Sequence, residues 1–405
     1  MSAPQPDLRR AMRRAERGRQ LTAFLMVLPL LAFLGVVFVA PIATTLTKSI
    51  ASPDVSNALP QTSAMLLNWD GTSPPTEDMA AIMVPEIAGA YAAKTIAAAA
   101  TRINEEQPGM RSVMMRAARE AGEMQPPYLQ ALTDLDPAWA ETERWVHLQA
   151  TATPYTARYL LAVLDLRRDQ GGAIAAVPPD QALYLDYLKR TLVISLSVTL
   201  LCIVIGYPVA YFAAHARPVT ARIVLACVLL PFWISVLVRT AAWMTLLQRE
   251  GMVNSFLLKA GLIDAPLELI FNRLGVYIAM VHVLLPFVVL PTYNAMRTIP
   301  AAHVMAAMSL GARPFAAFRT VYLPQSLPGV SAGALLVFIL ALGYYITPAL
   351  VGGAQDQMLS YLITQFALNL GNWGMASAAA GLLLLTTIVV YVVFRKAFGA
   401  RGFTV

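Results

Sequence analysis

Few residues of this sequence have the type and spacing to do chemistry, and those few point away from catalysis. Arg239 is the one full charge inside a long apolar run. A charge at that depth costs about 2.5–3.5 kcal/mol on insertion scales, which makes it a functional candidate by default. It sits near the outer end of its run, from where a long side chain can snorkel toward the headgroups. Tyr344 and Tyr345 offer aromatic faces to a cation, or serve as packing and interfacial aromatics. His282, on an apolar face, reads as a hydrogen-bonded packing residue. Cys202 and Cys227 are too few for a disulfide framework or metal cluster and read as buried small hydrophobes. No Gly-x4-Gly-Lys-Ser/Thr loop is present, so the chain does not hold ATP by that route. His-Glu-x-x-His does not occur, and Gly-x-Ser-x-Gly is met only at Gly329–Gly333, inside a long apolar run with no strand-to-helix turn to expose the serine, which disfavours a membrane enzyme.

The most patterned polar stretch is Thr298–Pro328. Pro300 stands where a helix can begin, Ala301–Leu310 suits a helix, and Gly311 suits the left-handed residue that ends one. Pro314 opens a second short helix, whose Phe315, Phe318, Val321 and Tyr322 recur at helical spacing and form one apolar face. Leu323-Pro324 is expected to stop it. Such a hairpin can dock on a protein or rest on lipid, and the pattern alone leaves both open.

The elements that must position these residues are membrane spans. The chain has 405 residues, of which 58% are hydrophobic and 13% charged. A soluble protein of ordinary composition carries about 25% charged residues, so a soluble or disordered chain is excluded. About 20 apolar residues cross a bilayer. Leu21–Ile42, Thr191–Ala214, Ile223–Gln248, Leu274–Met296, Gly329–Gly353 and Met375–Phe394 meet that length. Pro286 and Pro291 predict a kinked fourth span, and the small residues of Ala376–Gly381 permit close helix approach in the sixth. Met358–Gly374, broken by polar residues and glycines, reads as a periplasmic or interfacial helix. The first run is too long for a signal-peptide core, and Pro41 after Ala40 disfavours cleavage.

Lysine and arginine near span ends set orientation. The basic N-terminus 1–20 carries Arg9, Arg10, Arg13, Arg14, Arg17 and Arg19 against Asp7 and Glu16. With that end cytoplasmic, Arg217, Arg222, Arg297, Arg313, Arg319, Arg395, Lys396 and Arg401 all fall on the same side. This juxtamembrane charge speaks for topology and anionic lipid rather than nucleic acid.

Residues 48–190 separate the first two spans and hold 17 of the 23 acidic residues. Ala80–Ala100 and Ser112–Met124 are alanine-rich and predict helices. Asp136–Arg168 predicts two more, broken at Pro154, while Pro126-Pro127, Gly171-Gly172 and Pro178-Pro179 read as breaks. The insertion is either a helical cap or a docking surface, with Trp69 and Trp139 as core residues by default and anchors if exposed.

Ala306-Ala307, Gly311 and Leu323-Pro324 resemble the coupling "EAA loop" of ABC importer permeases, in spacing and in location. Leu230–Trp243, Gly251–Ile263, Leu284–Met296 and Thr347–Gly353 are similar to spermidine/putrescine-type permeases, a likeness covering Thr191–Arg395. The resemblance implies an all-α membrane protein with six transmembrane helices of the type I ABC importer permease fold, plus a helical extracytoplasmic insertion. The domains would be 1–20, the first span 21–42, the periplasmic insertion 48–190 and a five-helix core 191–405 with its cytoplasmic loop 298–328. It also implies that Met305, Ala306, Ala307, Gly311, Ala312, Phe315, Leu323 and Pro324 couple to an ATPase dimer. Trp233, Arg239, Tyr344, Tyr345 and Thr347 are expected along the solute pathway. The partners implied are the ATP-binding subunits, a second and non-identical permease, a periplasmic solute-binding protein and membrane lipid, with no nucleic acid. No cofactor is expected in this chain, ATP and magnesium belonging to the partner ATPase. The location implied is the bacterial inner membrane with both termini cytoplasmic. Two departures stand out. Met305 replaces the motif's glutamate, so docking must rest on packing and the Gly311 geometry. The acidic residue often found before Thr347–Gly353 is missing, and Gly343-Tyr344-Tyr345-Ile346 stands there with no Asp or Glu in any span. The solute implied is a polyamine or a related small organic solute, with another small organic solute, such as an amino-acid conjugate or aminophosphonate, as the alternative. The alternative is a stand-alone secondary transporter, which would be expected to show intramembrane carboxylates or internal repeats.

Overall fold

The computed structural model describes residues 6–168 and 173–398. Gly171-Gly172 and Arg401 lie outside the described residues, as do the side chains of Asp7, Arg9, Arg10, Arg13, Arg14 and Arg17. The chain divides into two compact units that meet in sequence between Tyr159 and Leu160.

The first unit begins with a long helix, Pro6–Leu34, that continues through a π turn at Gly35–Val39 into Ala40–Thr47. Its apolar side chains from Leu21 to Ile42 are exposed on the chain, a surface suited to lipid. A helical bundle follows. The stretch Ala80–Ala100, expected as one helix, is two, Glu77–Ala92 and Ile96–Glu106, because Lys94 turns into the left-handed region at φ 60°. Met110–Glu120 and Thr142–Ala152 match the expected helices, and the Pro126-Pro127 bond is cis between helices. Trp139 and Trp145 are fully buried, edge to face at 6.0 Å, and Trp145 Nε1 donates to the Trp139 carbonyl at 2.9 Å. They are core residues, not exposed anchors. Glu86 accepts from the amides of Gln61 and Thr62 at 2.7 Å each, placing a carboxylate on the uncapped start of helix Pro60–Asn68. Arg102 is buried, donating to Ser52 and paired with Glu106 at 3.0 Å. Glu105, beside Tyr159 at 2.8 Å, is pushed above the usual carboxylate range by burial, against the pull of Tyr159, Arg102 and Arg158.

The second unit opens with a small antiparallel hairpin, Leu166–Arg168 paired with Ile174–Ala176, that the sequence pattern does not announce. Asp165 then accepts from the amides of Leu183, Tyr184 and Leu185, capping the helix Tyr184–His215. Among the described residues five helices are long and apolar enough to cross a membrane, or six if one bent pair counts as a single span. The centre of the bundle is Arg273–Arg297, which packs against both Tyr184–His215 and Leu323–Leu342, themselves in contact. Val276, Met280, Leu284 and Val288 are its core face. Gly329 and Gly333, spaced by one helical turn, lie on the backbone of that central helix, where an added Cβ would stand 2.6 Å from the Pro291 carbonyl and 2.9 Å from Val288 Cα. Ala376, Ser377, Ala378 and Ala379 are buried in the last helix, Trp373–Phe398, as their size suggests.

Two span expectations need correction. Ile223–Gln248 is not one rod. It breaks into Pro218–Trp233 and Val236–Lys259 with a bend of 102°, because Pro231 lacks an amide proton and Ile234 and Ser235 take extended backbone. Gly329–Gly353 is also divided. The helix runs Leu323–Leu342, Gly343 closes it, and Thr347–Val351 belong to a separate short helix, Ile346–Val351. Met358–Gly374 forms the helix Leu359–Thr364 and a π turn, ending at Gly371. Cys202 is buried as expected, whereas Cys227 is exposed on the chain.

Candidate functional site

The polar hairpin forms from local rules. Helix Ala301–Ser309 follows Pro300, and Gly311 takes φ +93°. Ala312 N–H donates to the Ala307 carbonyl at 3.0 Å and Gly311 N–H to Met308 at 3.0 Å, the paired bonds of a Schellman ending. Pro314 starts the next helix after Arg313. The expected stop at Leu323-Pro324 does not occur. The turn Phe318–Tyr322 widens to π geometry, Leu323 N–H bonds back to Phe318, and Pro324 enters the following helix in its first turn, where no amide proton is needed. Pro314–Leu342 is thus a single helical element of 29 residues.

The π turn also splits the apolar face expected for Phe315, Phe318, Val321 and Tyr322. Tyr322 is buried, stacked on Phe318 and edge-on to Tyr211, whereas Phe315 is 75% exposed. Helix Ala301–Ser309 has no buried residue, Met305 and Met308 are exposed, and Leu310 is 89% exposed. Ala306 is exposed and Ala307 and Ala312 half-buried, while Leu323 is half-buried and Pro324 exposed. Met305, Met308, Leu310 and Phe315 therefore make the tip of the hairpin apolar and leave it uncovered among the described residues. Two contacts that motif reading misses brace it. A ring nitrogen of His303 donates to Gln325 Oε1 at 2.8 Å, and Tyr207 Oη meets the buried Ser326 Oγ at 3.0 Å. Both pairs are far apart in sequence, so only the fold brings them together.

A second cluster lies at the bend of the third span. Arg239 does not snorkel. It is 8% exposed, and its Nε and Nη1 have no hydrogen-bond partner among the described residues. The Thr240 and Thr347 hydroxyls meet at 3.1 Å, and both residues are buried. Trp243 Nε1 donates to His282 Nδ1 at 3.1 Å. Arg239 lies near both His282 and Tyr344, and Tyr344 lies near Thr347. Ser360 Oγ donates to the Tyr344 carbonyl at 2.7 Å, and Tyr345 faces the Tyr361 ring at 6.3 Å. Arg239, Tyr344 and Thr347 are thereby gathered in one place, with Tyr345 at its edge, while Trp233 stands apart at 87% exposure. Asp356, buried and paired with Arg273 at 2.9 Å, holds the segment after the short helix to the start of the fourth span.

Residues 206–401 match the family described as binding-protein-dependent transport system inner membrane component. The spermidine/putrescine transport system permease protein PotB of Haemophilus influenzae is 34% identical over 214 residues, covering 53% of this chain and 75% of that protein. The Escherichia coli protein of the same description is 33% identical over 215 residues, covering 53% of this chain and 78% of its own length. This chain belongs to the spermidine/putrescine-type family of ABC importer permeases. The inner membrane ABC transporter permease protein YdcU of Escherichia coli is a further relative, 32% identical over 229 residues and 72% covered. The permease is a multi-pass inner-membrane transport subunit and not an enzyme. Both clusters lie inside the matched residues, and the helical insertion lies outside them.

Proposed function

We propose that this permease forms half of the transmembrane pathway of a binding-protein-dependent importer, working with a second, non-identical permease and a cytoplasmic ATPase pair. The observation that carries the reading is the unpartnered apolar tip of Met305, Met308, Leu310 and Phe315, at the end of a helix that runs unbroken into the fifth span. A docked ATPase covers that tip and moves it, and the helix passes the motion to the bundle. The transition needs ATP to favour one state of the ATPase pair over the other. Met305, Ala306, Ala307, Gly311, Ala312 and Phe315 make or shape the docking surface, and Leu323 and Pro324 join it to the span. ATP and magnesium reside in the partner.

The solute is a polyamine or a related small organic solute, a reading that rests on the names of the relatives. The arginine-rich N-terminus and the C-terminus lie in the cytoplasm, and residues 48–190 form a periplasmic domain that meets the solute-binding protein. The core extends over 191–405, with the loop 298–328 facing the ATPase.

The test is Gly311→Pro in the complete transporter in proteoliposomes, with spermidine and putrescine as probes. A proline holds φ near −65° and cannot adopt +93°. ATP-driven uptake is expected to fall to background while membrane insertion is retained. Uptake at the wild-type rate would falsify the coupling assignment.

A further inference from the structure

Among the described residues Arg239 is a cation without a counter-charge. Burial of a charge is tolerated when it is paired and hydrogen-bonded, yet Nε and Nη1 are enclosed and have no acceptor among the described residues. The groups gathered around it are donors or can act as donors. Trp243 donates to His282 Nδ1, which leaves the proton of a neutral ring on Nε2. Tyr344 lies near Arg239 and near Thr347, whose hydroxyl meets that of Thr240 at 3.1 Å. The backbone adds to the same sign. Arg239 lies in the first turns of the half-helix Val236–Leu247, which starts at the 102° bend, has no side-chain cap and has no acidic residue in its first turn. Helix side chains lean toward the helix N-terminus, so the guanidinium is carried toward the uncapped amides. A broken span that presents a half-helix N-terminus is suited to an anionic group, and a guanidinium fork fits a carboxylate in particular.

We infer that the bend of the third span, with Arg239 as its centre, is a carboxylate-binding site. The carboxylate comes from one of two sources, the transported solute or a side chain of the companion permease. In the first case the solute carries an acid as well as an amine, which narrows the substrate class. The inference rests on the permease reading above.

The experiment measures thermal unfolding of the purified complete transporter with two probes of matched length, putrescine and 4-aminobutanoate, in which a carboxylate replaces one aminomethyl group. If the solute supplies the acid, 4-aminobutanoate raises the wild-type midpoint by about 2–4 °C at saturation. Arg239→Gln abolishes that rise. If the companion permease supplies it, neither probe response depends on Arg239. Arg239→Gln then lowers the midpoint of the assembled transporter but not that of the full chain alone, where the charge is uncompensated. Should the Gln variant fail to assemble, Arg239→Lys keeps the charge without the fork, and either 4-aminobutanoate binding weakened at least about tenfold or a lower midpoint of the assembled transporter is expected. The inference is overturned if the available variant leaves both the assembled midpoint and the probe responses as in the wild type. That result leaves the Gly311→Pro outcome untouched, so the two readings fail separately.

Discussion

At Gly311 the backbone alone decides what can stand there. Its φ of +93° is a conformation that a side chain makes costly, and an added Cβ would meet no atom within 4 Å. Gly311→Ala thus carries a backbone penalty of about 1–2 kcal/mol with no steric component. Uptake intermediate between wild type and Gly311→Pro is expected, and equal loss in both variants would count against a purely conformational role. Elsewhere at this scale, Glu105 is half-protected from water and pushed above its ordinary value of 4.5 by burial. A raised carboxyl favours folding while it is protonated. Its contribution is therefore present below the ordinary value and is lost as pH rises through the raised one. Thermal unfolding of the full chain is expected to show this loss, and Glu105→Gln to flatten that part of the profile; an unchanged profile would exclude Glu105 as its source. The sequence made Gly311 legible because a helix end is a local matter. It made Arg239 visible but not its isolation, since snorkelling depends on which neighbours close over the side chain. The caps from Glu86 to Gln61 and Thr62 were invisible because donor and acceptor lie on different helices.

At the level of elements, hydropathy read the spans well and their interruptions badly. Long apolar runs place a helix because lipid offers no other partner for the backbone. Whether the run bends depends on single residues such as Pro231 and Gly343, whose effect varies with context. Pro324 shows the reverse case, a proline expected to end a helix that instead enters one through a π turn. The tight helix crossing at Gly329 and Gly333 was also missed, because they look like any two glycines until the central helix is set beside them. Gly333→Leu would drive its side chain into the backbone at Phe287 and Val288, a cost of about 1–3 kcal/mol or more. A lower unfolding midpoint and poor accumulation in the membrane are expected. Gly35→Ala, with nothing within 4 Å of the new Cβ, serves as the control; equal behaviour of the two variants would argue against a close crossing.

For the whole molecule, composition separated an apolar core from an acidic insertion, and the first unit has a hydrophobic core of its own around Met83, Ile87, Met114, Trp139 and Trp145. Residues 52–159 without the first span are therefore expected to unfold cooperatively as a soluble fragment. A broad, non-cooperative melt would mean that this core needs the rest of the chain. The sequence could say that this region is soluble in character, but not which of its tryptophans face inward, because that follows from packing.

The unbroken helix Pro314–Leu342 has a mechanical consequence. Twenty-nine residues at the rise of an α-helix make a rod of about 43 Å. A tilt of about 5° about one end sweeps the other through about 4 Å, roughly the width of a water molecule and its contacts. Had Leu323-Pro324 been a hinge, a push at the tip would have been absorbed within a turn or two of where it was applied. With the π turn in its place Phe315 and the glycine crossing at Gly329 and Gly333 sit on one stiff arm, so small angles at the surface are delivered as displacements at the centre of the bundle.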